Sequence, residues 1–344
     1  MARRTGSLAC VKRILLVTGS GRSGTSSVAG TLKRLGLHVP QPEVPADEKN
    51  PLGYYEPRWV AAFHKGWLDN IHVRTIDTRP HAGDVAMETV TPKREEKLRT
   101  WVADELAARP DGDVVVIKET RAYWVYPLWQ RVVADVGAEL TSLTMLRHPT
   151  QVVRSRDTAY LSGRSDEFRL ARETSNVAAW MNAVFVTERA TRGNPRAFVP
   201  YYDLVEDWRA AISRACEQLG IDTGDLTAPH PVDDFITPSL NRSDDAWDGL
   251  TVPDSLRELA EETWAAASLL VATPDDEKAR AELDRLQAAY ADLYTTAAAL
   301  ASDEKKAAVL AEQRKLQDRL DTKNKRIEKL RAEVHQLRGG GTPE

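Results

Sequence analysis

The chain contains little cysteine, no long apolar run and no large excess of charge of either sign. Its 344 residues include only two cysteines, Cys10 and Cys216, without a CxxC or Cys/His spacing, so neither a disulfide framework nor a zinc site is predicted. No segment approaches the ~18 apolar residues of a membrane span, and the run from Ile14 to Val17 is too short for a signal-peptide core. The sequence therefore predicts a cytoplasmic protein without a membrane span.

The charge balance also limits the partners that the chain can attract. There are 47 basic and 51 acidic residues, which give a formal net charge of −4. A global positive field that would draw the protein to nucleic acid is absent, so anion binding must come from local arrangements of side chains. With 42% apolar residues, the chain is long enough for one large catalytic domain or two modest ones.

The N-terminal part opens with a strand, a glycine loop and a helix. The apolar run Arg13 to Thr18 predicts a buried strand, Gly19 to Gly24 a tight loop, and the apolar spacing from Thr25 to Leu35 a helix. Three similar strands are predicted downstream, each followed by a helical pattern: strands 113–118, 140–146 and 196–201, and helices 123–136, 150–161 and 204–219. This alternation predicts an α/β fold, a P-loop-like three-layer sandwich with a central parallel sheet.

The C-terminal part is predicted to be helical beyond Pro253, after a surface segment from Asp222 to Leu250. Its last apolar row has the 4-3 spacing of a coiled coil for about four heptads and does not continue the phase of the preceding row, so a break is expected at Ser302 and Asp303. The row comprises Val309, Gln313, Leu316, Leu320, Lys323, Ile327, Leu330, Val334 and Leu337. Parallel dimerisation and an antiparallel or solvated helix both fit this pattern, and a homo-oligomer is the expected result.

These patterns divide the chain into five segments. We expect a flexible leader over residues 1–12, a P-loop-like domain over 13–275, a helical extension over 276–300, a coiled coil over 301–338 and a tail over 339–344.

The loop after the first strand is similar to the phosphate-cradling loop GxxxxGK[ST], but Thr25 stands at the position of the lysine. Glycines allow successive backbone N–H groups to point at an anion, and the following helix adds its positive end. Without the lysine, nucleoside triphosphate hydrolysis is disfavoured. The predicted anion-binding residues are Gly21, Arg22, Ser23, Gly24, Thr25 and Ser26.

A second motif follows the third predicted strand. Arg147 stands at the strand end, and Ser155 lies eight positions later, two turns into a helix. This spacing can direct both side chains toward one anion. Arg147 offers a charge-assisted, forked hydrogen bond and Ser155 a neutral one.

Together, the two motifs resemble the sulfotransferase superfamily over roughly Arg13 to Arg242. The resemblance implies a sulfotransferase that uses 3′-phosphoadenosine 5′-phosphosulfate as co-substrate without a metal, with the loop at the 5′-phosphosulfate and Arg147 and Ser155 at the 3′-phosphate. It further implies that Arg242, in a late loop, closes over the 3′-phosphate. The segments from Asn50 to Glu56, from Lys118 to Arg121 with 127–129, and from Pro200 to Leu204 before a helix ending at 219–220 resemble those of bacterial members.

In-line sulfuryl transfer needs cations at the leaving phosphate and a base for the acceptor. Arg22 fits the first role, and the resemblance places Lys118 near the reacting centre. Cytosolic members of the family often have a histidine where this chain has Thr120, so the base is expected elsewhere. Glu56 is the first candidate, because carbohydrate-modifying members use a glutamate in this segment; Glu119 is the second and His64 the third.

The residues leave the acceptor open, although nine tryptophans fit a carbohydrate, glycolipid or small-metabolite site. Two other functions share the same opening motif. A P-loop phosphotransferase would bind ATP with magnesium, and the missing lysine disfavours it. A non-catalytic coiled-coil adaptor would retain only a degenerate nucleotide pocket.

Overall fold

A computed structural model describes residues 11–48, 50–157, 165–237 and 245–339. Cys10 and Arg242 lie outside these ranges. The four predicted strands are confirmed as β1 (Arg13–Thr18), β2 (Val114–Lys118), β3 (Glu139–Leu146) and β4 (Arg196–Pro200). All pair in parallel, in the order β2-β1-β3-β4. Because β2 and β3 lie on opposite sides of β1, the order reverses beside β1, and ligands of open α/β sheets bind at such a point, beyond the carboxyl ends of the strands.

Thirteen α-helices are present in the described residues, together with short 3-10 turns at Asp69–Ile71 and Ala122–Val125. Those before the third strand are α1 (Thr25–Arg34), α2 (Arg58–Leu68), α3 (Ala82–Glu88), α4 (Pro92–Ala107) and α5 (Tyr126–Asp135). The later ones are α6 (Pro149–Asp157), α7 (Asp166–Thr191), α8 (Tyr201–Glu206), α9 (Trp208–Leu219), α10 (Val232–Phe235), α11 (Asp254–Leu269), α12 (Glu277–Leu300) and α13 (Ser302–Gly339).

The sheet is buried on both faces, as its continuous apolar strands predict. In β1, Leu15 and Val17 contribute to an apolar cluster with α1, α8 and α9 on one face. Ile14 and Leu16 contribute to a second cluster with α2, α4 and α5 on the other. A third cluster joins the ends of β3 and β4 to α7, α11 and the first half of α12. The three-layer α/β arrangement follows from this alternation.

Two predicted helices differ in extent from those observed. The helix expected over 204–219 is two helices, because Asp207 has an extended φ of −143° and accepts a hydrogen bond from Ala210 N at 3.0 Å, which caps α9. The helix expected from Tyr123 begins at Tyr126 after a 3-10 turn. The part of the third predicted helix beyond Asp157, up to Leu161, lies outside the described residues.

The chain forms two compact units, Met1–Tyr290 and Ala291–Glu344. The first contains the sheet and ends within α12, whose Ala279, Leu283, Leu286 and Tyr290 side chains are buried in the third cluster. The second contains α13, which begins at Ser302, where the sequence predicts a break. Across the described residues, every helix is too short or too polar to cross a bilayer.

Candidate donor-binding and catalytic site

The loop between β1 and α1 turns tightly against the end of β3. Gly19 has a φ of 135°, and a Cβ on it would lie 2.6 Å from the carbonyl oxygen of Met145. Gly24 has a φ of 90°, and its Cβ position lies 2.2 Å from the Tyr201 ring. Arg22 also adopts a left-handed φ, of 76°, although it is not glycine. Such strain persists only where the surroundings fix the backbone, and it frequently marks functional sites.

We expect Gly24→Ala to lower the free energy of unfolding by about 3 kcal/mol and to weaken anion binding, because it adds a side-chain clash to left-handed strain. Gly36→Ala is the matched control: Gly36 has a similar φ of 93°, but nothing lies within 4 Å of its Cβ position. It should cost only the roughly 1–2 kcal/mol of the backbone conformation. Chemical denaturation measures both, and equal losses would contradict the role of the Tyr201 contact.

Two buried hydroxyl groups of the loop lack protein partners. Ser20 and Ser23 are 4% and 1% exposed, and neither Oγ atom has a hydrogen-bond partner among the described residues. Buried hydroxyl groups are normally hydrogen-bonded, so their position in an anion-binding type of loop fits a ligand that accepts from them. Ser26, at the start of α1, instead accepts a hydrogen bond from Asn50 Nδ2 at 3.3 Å.

The two predicted anion-binding motifs are in direct contact. Arg22 Nε donates to Ser155 Oγ at 3.0 Å, and Arg147 Nη1 donates to the carbonyl oxygen of Arg22 at 3.0 Å. The residues come from β1–α1, from the end of β3 and from α6, so they meet at the point where the strand order reverses. Ser155 therefore reaches Arg22 rather than Arg147. Neither arginine forms an ion pair with a carboxylate in the described parts of the chain.

Arg147 is held in a fixed orientation. Its Nε donates to Gln151 Oε1 at 3.1 Å, its guanidinium lies 4.2 Å from the centre of the Tyr201 ring, and its carbonyl accepts from Trp180 Nε1 at 3.0 Å. Burial lowers the pKa of Arg147, and the positive charge of Arg22 acts in the same direction. Arginine stays charged at physiological pH, so two positive charges are held close together. A bound anion would reduce the repulsion between them.

Lys118 and Glu56, predicted from distant parts of the sequence, form an ion pair. Lys118 ends β2, is 2% exposed, and its Nζ donates to Glu56 Oε1 at 2.5 Å. The second oxygen, Glu56 Oε2, has no hydrogen-bond partner among the described residues. Glu56 directly precedes Pro57, the N-cap of α2. The pair thus combines an ammonium group with a carboxylate oxygen that can accept a proton.

Tyr54 lies beside this ion pair. Its ring centre is 5.9 Å from Lys118 Nζ, and its hydroxyl donates to Asp47. Burial and the hydrogen bond to Asp47 raise the pKa of Tyr54; the charge of Glu56 adds to this effect, whereas that of Arg22 opposes it. By its contacts, Tyr54 joins the Lys118–Glu56 ion pair to Asp47 of the preceding segment.

Glu119 and His64 are fully buried and belong to one hydrogen-bonded network. His64 Nδ1 lies 2.5 Å from Glu119 Oε2, and Trp129 Nε1 donates to His64 Nε2 at 3.2 Å. Because an indole N–H can only donate, His64 carries its proton on Nδ1 and donates it to Glu119. Arg121 donates to Glu119 through its backbone N and its Nη1. Both carboxylate oxygens are thus engaged, away from solvent.

Burial raises the pKa of Glu119, but the interactions with His64 and Arg121 outweigh it and hold that pKa below its usual value of 4.5.

We expect Glu119→Gln to lower the free energy of unfolding by about 3 kcal/mol at neutral pH, because the amide N–H group of glutamine would face an N–H group of His64 or Arg121. A depressed folded-state pKa gives stability that is present above the unfolded value and is lost as pH falls through the folded value. The difference between parent and variant should therefore shrink below about pH 4.5; a pH-independent difference would contradict the ionised network.

Several contacts that shape the site have only weak signals in the sequence. Arg156, next to Ser155, donates to the carbonyl oxygen of Gly21 at 2.9 Å. Asn50 also donates to the carbonyl oxygen of Gly53 at 2.7 Å, so with its contact to Ser26 it joins the Glu56 segment to the loop. Tyr201, directly after β4, contacts both Gly24 and Arg147. Its position at the carboxyl end of a strand is the one signal that indicates such a role.

Arg242 lies outside the described residues. In the described part of the chain, no group of three or more His, Cys, Asp or Glu side chains is arranged to hold a metal ion. Cys216 is buried in the first cluster, which raises the pKa of its thiol to about 12.

Neither a family model nor a curated protein matches the chain. Solved structures do match, and they include the following three. The sulfotransferase domain of the olefin synthase of Synechococcus PCC 7002 is 17% identical, over 74% of this chain and 96% of that one, with a TM-score of 0.40. A sulfotransferase domain from the curacin biosynthetic pathway is 14% identical, over 82% and 98%, with a TM-score of 0.33. A sulfotransferase from Alicyclobacillus acidocaldarius is 15% identical, over 75% and 93%, with a TM-score of 0.36.

Proposed function

We propose that the chain is a sulfotransferase that moves a sulfuryl group from 3′-phosphoadenosine 5′-phosphosulfate to a hydroxyl or amine of an acceptor. The observation that carries the proposal is the contact between the two motifs, in which Arg22 donates to Ser155 and Arg147 donates to the backbone of Arg22. Two cations without carboxylate partners among the described residues, beside buried free hydroxyl groups, make a site for an anion with more than one charged group.

The chain's own groups fit the two ends of this nucleotide. The loop residues Gly21 to Ser26 offer backbone N–H groups, the unpartnered Ser23 hydroxyl and the N-terminal end of α1 to the phosphosulfate. Arg147 retains Nη2, and Ser155 its hydroxyl proton, for the 3′-phosphate. Arg242 is proposed to add a cation at the 3′-phosphate. No metal is required, because the arginines and Lys118 supply the positive charge.

Lys118 and Glu56 fit the chemical step. When bound, the nucleotide supplies the sulfuryl group and a phosphate leaving group. Glu56 accepts the proton of the acceptor through Oε2, while Lys118 and Arg22 donate to the oxygens on which negative charge grows. The acceptor oxygen or nitrogen forms a bond to sulfur as the bond from sulfur to the phosphate oxygen breaks. We assign Glu119 a structural role, because both of its oxygens are already engaged in the buried network.

The proposal extends to a cytoplasmic, bacterial enzyme whose acceptor is a carbohydrate, glycolipid or small metabolite. An aromatic cluster that begins three residues after Glu56 in the sequence fits this acceptor class: the partly exposed Trp59 stacks on Phe63 and Trp101, with ring centres 5.0 and 5.1 Å apart.

Labelled donor tests this function. The protein is incubated with donor carrying a labelled sulfuryl group and with fractionated bacterial small molecules and glycolipids, and labelled products are identified by mass. Label should enter a product with the parent and not with Arg22→Ala. Transfer of phosphate from ATP with magnesium, without any transfer of sulfuryl label, would replace the proposal with a phosphotransferase.

A further inference from the structure

The last helix presents an apolar row to solvent. α13 has 38 residues, and its Val309, Leu316, Leu320, Ile327, Leu330 and Val334 side chains are 46–54% exposed. In proteins, a helix is stabilised mainly by packing its apolar face against a partner and less by helix propensity. The 4-3 spacing of this row is the pattern by which two helices pack knobs into holes.

The spacing assigns each residue a heptad position. Val309, Leu316, Lys323 and Leu330 occupy position d, and Gln313, Leu320, Ile327 and Val334 occupy position a. Two polar residues, Gln313 and Lys323, therefore interrupt the apolar row. Polar residues in a seam reduce stability, but they select the register and orientation in which they find partners.

The polar pair favours one orientation. In a parallel, in-register pair, Lys323 would face Lys323 of the second copy, and two buried like charges repel. In an antiparallel pair, position a faces position d, and a twofold axis at the level of Asp318 places Gln313 opposite Lys323 of the second copy. The same register places Leu316 opposite Leu320, and Val309 opposite Ile327.

The charges beside the row support the same register. In an antiparallel pair, g faces g and e faces e, which places Glu312 opposite Arg326 of the second copy. The same register places Lys305 opposite Glu333 of the second copy, and Asp303 opposite Arg331. Each of these pairs combines opposite charges. Symmetry doubles each of these three pairs. The unfavourable contacts are Arg319 with its own copy and, within the row itself, Lys306 opposite Leu330.

The parallel orientation and a shifted antiparallel register both bring like charges together. Parallel packing brings Arg326 against Arg331 of the second copy, twice. Shifting the antiparallel register by one heptad, so that Leu320 faces Lys323, places Arg319 against Arg326 and Glu312 against Glu333. Ion pairs within a single α13 helix, such as Lys315–Glu312 at 3.6 Å, compete with the ion pairs between the two helices. Because they are exposed, this competition is weak.

We propose that α13 forms an antiparallel two-stranded coiled coil with α13 of a second copy of this chain, about a twofold axis at Asp318. The occupant of the apolar face is thus the same helix, running in the opposite direction.

Sedimentation velocity of the full chain tests this proposal. The parent should sediment with twice the mass of 38.3 kDa at micromolar concentration. Leu316→Asp combined with Leu320→Asp should give the monomer mass. A parent that stays monomeric, or one whose mass is unchanged in this double variant, would overturn the proposal.

A charge reversal tests the orientation. Arg326→Glu should weaken the dimer by about tenfold or more, because it places two acidic residues opposite each other at both ends of the register. Adding Glu312→Arg to it should restore the parent's dissociation constant. Lys325→Glu, one position away on the outer face, is the matched control and should have little effect. A parallel coiled coil predicts the opposite sign, since Arg326→Glu would remove the repulsion from Arg331; a tighter dimer would therefore overturn the antiparallel register.

These variants lie outside the donor site and leave its residues unchanged. Binding of adenosine 3′,5′-bisphosphate should be equal in the dimer and in the Leu316→Asp/Leu320→Asp variant. The oligomer proposal and the sulfotransferase proposal thus fail or survive separately.

Discussion

Replacing Arg147 with alanine is expected to weaken the binding of adenosine 3′,5′-bisphosphate by about a hundredfold. The variant loses a charge-assisted hydrogen bond to the ligand, which contributes roughly 1.5–3 kcal/mol. It also loses the hydrogen bond from Arg147 to the Arg22 carbonyl oxygen, which helps to hold the backbone of the loop in place. Titration calorimetry of parent and variant at one salt concentration measures the change.

Two further variants make this result specific. Arg147→Lys should recover only part of the affinity, because an ammonium group cannot donate to Gln151, the Arg22 carbonyl and a phosphate in one plane. Arg131→Ala is the matched control, since it removes a half-exposed arginine of α5 that pairs with Glu95. If Arg147→Ala bound the nucleotide within threefold of the parent, Arg147 would not contact it.

Replacing Glu56 with glutamine is expected to reduce the rate of sulfuryl transfer by 10²- to 10⁴-fold, the usual contribution of a general base. An amide cannot accept the acceptor's proton, although its oxygen can still accept a hydrogen bond from Lys118. Binding of adenosine 3′,5′-bisphosphate should stay within about threefold of the parent, because Glu56 is assigned to the acceptor and not to the nucleotide. Single-turnover kinetics with labelled donor separate the two effects.

Glu43→Gln serves as the control for Glu56. Glu43 lies in the same segment, and its backbone pairs with Pro57, but its side chain contacts Lys33 and Gln41. Its loss should leave transfer nearly unchanged. If the turnover of Glu56→Gln stayed within about threefold of the parent, Glu56 would not be the base. The acceptor would then have to lose its proton without help from Glu56.

The sheet was predictable because its signals are local. The strands β1 and β2 are short apolar runs that end before Gly19 and at Lys118, and burial on both faces makes these runs continuous. The two motifs predicted to bind an anion could likewise be located, since each directly follows a strand. Helix ends were less predictable: the division at Asp207 depends on a cap that one side chain provides.

The contacts within the site could not be predicted, because they join residues far apart in the chain. Arg22 and Ser155 are separated by 133 positions, and Lys118 and Glu56 by 62. Glu119 was a reasonable second candidate for the base, since it follows Lys118 at a strand end. Its engagement depends on His64, which is 55 positions away and reaches Glu119 only when α2 packs on the sheet. No periodicity in the sequence contains that information.

The central claim is that the loop at Arg22 and the Arg147/Ser155 motif bind one nucleotide that carries two anionic groups. Calorimetry of the folded full chain with adenosine 3′,5′-bisphosphate tests it most directly, with adenosine 5′-phosphate as the comparison. The claim predicts one site per chain and an affinity at least about tenfold above that of the monophosphate. The absence of any binding heat across temperatures, or equal affinity for the two nucleotides, would contradict it.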